Sequence, residues 1–113
     1  MPQPTLKTVN IASAASLSAQ VDIGPLTLCG IIMPAAWTAA ALSVQVSFDG
    51  GTTWMEMFDK AAAIAIAAAQ GIYIALDPAL FKGCTSLKIR SGTSGSPVAQ
   101  GAARDLILVT AQV

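Results

Sequence analysis

The sequence predicts an all-β fold: a single antiparallel β-sandwich of jelly-roll type, with at most one short helical turn near residues 77–83. Two observations carry that expectation. Short runs alternate apolar and polar residues with period two, and Gly, Pro, Asp and Ser clusters interrupt them at regular intervals. A third bounds it: 113 residues allow one domain, 1–113, with a core of its own. Although 54% of the residues are hydrophobic, 22 of these are alanine, so the strongly apolar content is that of an ordinary globular chain.

The elements follow in order. Pro2 and Pro4 impose extended geometry on an N-terminal arm over about residues 1–5. Residues 5–11 form a first strand, and 12–16 a small polar turn. Residues 17–23 form a second strand with Leu17, Ala19, Val21 and Ile23 on one face, ended by Gly24-Pro25. Residues 26–33 are apolar on both faces, which predicts a central strand covered on both sides. The connection 34–40 carries Trp37 at its middle.

Leu42, Val44, Val46 and Phe48 then alternate with Ser43, Gln45 and Ser47, giving one buried and one wetter face. Asp49-Gly50-Gly51-Thr52 supplies the positive-φ residues of a tight hairpin, and residues 53–59 return. Pairing Val46 with Met55 and Val44 with Met57 sends both methionines inward. A slip of one residue would put Glu56 in the core, at high cost. Trp54, Glu56 and Phe58 then share the outer face with Ser47, Gln45 and Ser43.

Residues 60–70 carry conflicting signals. Alanine favours helix, while Ile64 and Ile66 at period two favour a strand; the expectation is a loop with a short strand. Residues 71–76 form a strand with Ile72, Ile74 and Leu76 on one face. Asp77-Pro78 opens one helical turn as N-cap and first position, and Gly83 closes it. Residues 85–90 form a strand with Leu87 and Ile89 inward and Lys88 and Arg90 outward. Residues 91–103 read as a long polar loop, flexible or ordered only against a neighbouring subunit. Residues 105–113 form the last strand, apolar on both faces near 106–109.

Composition narrows function. Six basic and six acidic side chains give zero net charge, without the footprint of a nucleic-acid binder or a polybasic membrane binder. The absence of histidine removes His-based triads and zinc ligands. The carboxylates Asp22, Asp49, Glu56, Asp59, Asp77 and Asp105 are dispersed, with no convergent pair and no calcium loop. The expectation is therefore a non-enzyme with no catalytic residue, no cofactor and no metal. Residues 23–48 are uncharged and long enough to cross a bilayer, but their Gly, Pro and polar residues and their period-two half assign them to strands. Neither a membrane span nor a signal peptide is expected. Cys29 and Cys84, far apart and without a CxxC pattern, read as free buried thiols in a reducing cytoplasm. Zero net charge is a solubility liability for a free monomer, so an assembled protein, a homo-oligomer included, fits better. The candidate partner-contact residues are Pro2, Pro4, Trp37, Trp54 and Phe58. Trp54 with Phe58 on an outer face suits either a sugar-stacking platform or a protein contact, and the protein contact is favoured.

Ser47-Phe48-Asp49-Gly50-Gly51-Thr52-Thr53-Trp54 resembles the Asp box, a hairpin motif of sialidase propellers and many unrelated β-proteins. The resemblance implies a structural turn rather than a catalytic site. Four longer stretches, residues 33–42, 47–54, 74–83 and 87–95, resemble a family of small virion proteins encoded by tailed bacteriophages and prophages. The alanine-rich run 61–69 departs from that pattern. The resemblance implies a non-enzymatic virion subunit, made in the host cytoplasm, that binds the major capsid protein or neck and tail proteins. A head decoration or cement protein is the first expectation and a neck, tail or spike component the second. A carbohydrate-binding module is the alternative from another class.

Overall fold

The structure, a computed structural model, describes residues 4–59 and 62–112. The strands are β1 (Thr5–Ile11), β2 (Val21–Asp22), β3 (Thr27–Ile32), β4 (Leu42–Ser47), β5 (Met55–Glu56), β6 (Phe58–Asp59), β7 (Ala62–Ala63), β8 (Tyr73–Ala75), β9 (Ser86–Ser91) and β10 (Arg104–Ala111). A single 3-10 turn, Pro78–Phe81, lies between β8 and β9, and the Asp77 carboxylate caps it by accepting from the Ala79 N–H at 3.0 Å.

Eight strands make two four-stranded antiparallel sheets, ordered β1-β10-β3-β8 and β2-β9-β4-β5; β6 and β7 form a separate small hairpin. With that hairpin set aside, the first strand pairs with the last and the pairing proceeds inward: β1 with β10, β2 with β9, β3 with β8, β4 with β5. This is one long hairpin wrapped into two layers, the jelly-roll arrangement the sequence predicts.

Period-two alternation sends one face of each sheet into a shared core. Val9, Ile11, Leu28, Ile31, Leu106 and Leu108 come from the first sheet and Leu42, Val44, Leu87 and Ile89 from the second; all are buried. Full burial of each such side chain stabilises by roughly 1.5–3 kcal/mol, an upper figure because unfolded chains already hide some surface.

Several expectations need correcting. Pro4 is exposed, and Pro2 lies outside the described residues. The second strand shrinks to Val21–Asp22, with Leu17 making an isolated bridge to Arg90. The strand over 26–33 is central, between β10 and β8, yet Ile32 on its outer face is 36% exposed. The run 62–69, by contrast, holds a short strand as expected, β7, and Ile66 bridges to Leu42.

The glycine-rich connection is closed on itself by the Gly92–Pro97 bridge and tied to the rest of the chain through Gln100. Gln100 is 1% exposed and all its polar groups are bonded. Its Oε1 accepts from the Thr38 N–H at 2.9 Å and from Arg104 Nε at 3.1 Å. Its Nε2 donates to the Thr38 carbonyl at 3.1 Å and to Ser91 Oγ at 2.6 Å. Its backbone bonds Ala14 and Ala15. One buried residue, by its side-chain amide and its backbone together, thus stitches the connections 12–20, 34–41 and 92–103 at one end of the sandwich. Among the described residues no buried side-chain nitrogen or oxygen lacks a partner.

Replacing that amide by an apolar side chain of similar size strands its partners in a dry site. Gln100→Leu is expected to cost about 1–3 kcal/mol in urea unfolding. Hydrogen exchange in residues 92–103 should accelerate more than in β9 or β10.

Candidate functional site

The Asp-box-like segment is a loop of eight residues, not the tight hairpin expected. The register is as predicted, with Val46 opposite Met55 and the Met57 N–H donating to Val44 at 3.0 Å. Pairing with β5 stops there: Ser47 keeps its partner Ser86 in β9, and its Oγ accepts from the Gly51 N–H at 2.9 Å, within the turn. Asp49 Oδ1 accepts from the Thr53 N–H at 2.9 Å and from Ser47 Oγ at 2.8 Å. Those bonds, the Thr53 amide first, hold the Asp49 carboxyl down at about 2. Gly50 and Gly51 take φ of 74° and 100°, a region that favours glycine. Trp54 Nε1 donates to the Gly51 carbonyl at 2.9 Å, and Lys88 Nζ sits 4.5 Å from its ring centroid. The motif is spent on its own turn.

The four contact candidates among the described residues, Pro4, Trp37, Trp54 and Phe58, do not converge. Trp37 is a correction: it is buried, caps the core and donates to the Ala40 carbonyl at 3.1 Å. Trp54 is half-buried under Lys88. Phe58 does not share the polar outer face with Trp54; at 58% exposed, it lines an apolar groove.

That groove is the candidate site. It has a volume of about 330 Å³ and lies where β5 ends after two residues, beside the 3-10 turn. Val46 and Cys84 form part of its lining; Phe48, Met55, Met57, Phe58 and Leu80 complete the apolar part. Phe48 and Met55 were expected inside. Phe48 lies just past the end of β4 and Met55 pairs with the buried Val46, but they are 52% and 49% exposed. Phe58 and Leu80, at 58% and 39%, complete four of the eight large apolar side chains exposed among the described residues. Sequence reasoning missed Phe48, Met55 and Leu80, because period two reports which face a side chain takes and not whether another layer reaches it.

One charged group lines the groove. Glu56 bonds Arg90 through both carboxylate oxygens, with Oε2 2.7 Å from Nη2, and Gln45 Nε2 donates to Oε2 at 2.6 Å. Arg90, expected outward, is only 8% exposed under this network. The Arg90 hydrogen bonds keep Glu56 below the usual carboxylate range. Burial pushes the Cys84 thiol up, away from the reactive thiolate. Cys29 and Cys84 are both free, Cys29 only part-buried. The groove's wall is thus mostly apolar, with its one carboxylate paired to Arg90. Among the described residues no cluster of three His, Cys, Asp or Glu side chains could hold a metal ion, and no helix is long and apolar enough to cross a membrane.

No protein-family model and no curated protein matches this chain.

Two outcomes follow. The Glu56–Arg90 pair ties β5 to β9 across β4. Its contribution is present above the unfolded glutamate pKa of ~4.3 and is lost as pH falls through the lower folded value. Partial exposure screens it, so Glu56→Gln should cost about 1 kcal/mol or less at pH 7. The gap from wild type in urea titrations should close on acidification. Asp49→Ala should lower Tm and raise hydrogen exchange at Gly51 and Thr53, with β10 protection little changed.

Proposed function

We propose that this chain is a non-enzymatic structural subunit of a bacteriophage particle, and foremost a head decoration protein, that binds another virion protein through the groove at β5. The observation that carries the reading is the concentration of Phe48, Met55, Phe58 and Leu80, all exposed, around one concave apolar site. Large apolar side chains gathered in a pocket, with charge kept to a paired rim residue, have the anatomy of a protein contact. The jelly roll is compatible with this role, but the same architecture serves lectins and enzymes and does not choose among them. The resemblance of residues 33–42, 47–54, 74–83 and 87–95 to small phage virion proteins supplies the particle. A glycan platform is less well supported, since Lys88 and the Gly51 carbonyl already occupy Trp54.

The test is quantitative mass spectrometry of particles purified from cells that carry this gene. A copy number equal to that of the shell subunit, or a simple fraction of it, is the expected result. A handful of copies would move the protein to the neck, tail or spike, and absence from particles would overturn the reading. Phe58→Ser with Leu80→Ser should cut incorporation by at least about tenfold while leaving Tm within a few degrees, because both side chains are already exposed.

A further inference from the structure

The outer face of the first sheet breaks the rule that the second sheet obeys. The second sheet turns Ser43, Gln45, Lys88 and Arg90 outward. The first turns out two adjacent and mostly apolar rungs, Leu6–Val109–Gly30–Ala75 and Thr8–Ile107–Ile32–Tyr73, in which Thr8 is the one aliphatic hydroxyl. Leu6 is 57% exposed, Tyr73 53% and Ile32 36%. Neither rung carries a charge; Asp105, bonded by Asn10 Nδ2 at 2.9 Å, marks the end of the face. An antiparallel sheet with one face in water ordinarily alternates apolar and polar residues, whereas β3 and β10 are apolar on both sides. Within the described residues only one side is packed in the core.

Glycine at position 30 makes room on this face. A Cβ at position 30 would run into the Tyr73 phenol, so glycine there lets the ring lie across β3.

We propose that this face packs on the same face of a second copy of the chain about a two-fold axis, forming a weak, reversible dimer. Three features choose a second copy. The rungs hold no charge and the chain has zero net charge, so self-contact brings no like-charge repulsion. Sheets stack best when their twists match, and an identical sheet matches by construction. The strands span roughly 400 Å² of footprint, about half of what each partner gives a standard interface, which fits a transient self-contact. The dimer is independent of whatever fills the groove.

Sedimentation equilibrium of the full chain between ~10 μM and ~1 mM, the range of weak complexes, tests it. The expected result is a reversible rise from 11.4 kDa toward twice that mass. Leu6→Lys, at an exposed edge position, and Ile107→Lys should each weaken association at least about tenfold. Ser94→Lys, which adds the same charge on the 92–103 connection, should not. Amide shifts on dilution should map to residues 6, 30, 32, 73, 107 and 109. A wild-type monomer at the highest concentration, association unchanged in Leu6→Lys, or shifts confined to the groove would each overturn the dimer. None of these results bears on particle copy number, so the two proposals fail separately.

Discussion

The inward rungs of the two sheets hold the molecule together, and the other features sit where those rungs run out. Val9–Leu106 and Leu108–Ile31 face Val44–Ile89 and Val46–Leu87 across the core. Each rung needs an apolar rung opposite, because a single sheet of this size cannot keep its apolar face dry. Wrapping a long hairpin on itself meets that need for every strand at once. It also places the chain's connections at the ends of the sandwich, where backbone groups need new partners. Gln100 meets that demand at one end. The Ser47–Asp49–Thr85 set meets it around the β4–β5 loop.

The groove comes from the same constraint. Val46 has a full neighbour in Leu87 on one side, but on the other it has Met55 of a two-residue strand. Beyond β5 the chain turns into the β6–β7 hairpin, and the 3-10 turn inserts Phe81 into the core while leaving Leu80 at the rim. Apolar side chains there thus meet open space instead of a second layer. The Glu56–Arg90–Gln45 network anchors the short strand from its polar side. A groove built this way offers shape and apolar area, and its one carboxylate is committed to holding the wall in place.

The fold class, the β4–β5 register, the capped turn at Asp77 and the inward phase of β9 were all legible in the residues. Each rests on local physics: period two, the cost of burying Glu56, and the chemistry of an Asp-Pro helix start. The site was legible only in part. Phe58 was singled out, though on the wrong face, because the chain breaks between β5 and β6. Trp37 was read as a contact residue, yet its indole finds both a core and a carbonyl within its own connection. Polar, glycine-rich composition marks 92–103 as a loop without revealing that one of its own side chains, Gln100, is buried and bonded to Thr38, more than sixty residues earlier.

The sequence by itself determined which residues alternate, where the chain turns and which chemistries are absent from its composition, since those depend on near neighbours and residue types. The tertiary structure alone decided which apolar faces are covered. β3 and β10 carry apolar residues on both sides, and nothing local distinguishes the side that meets the second sheet from the side that faces out. That choice is made by strand order and by the length of the opposing layer, which are properties of the whole wrapped hairpin.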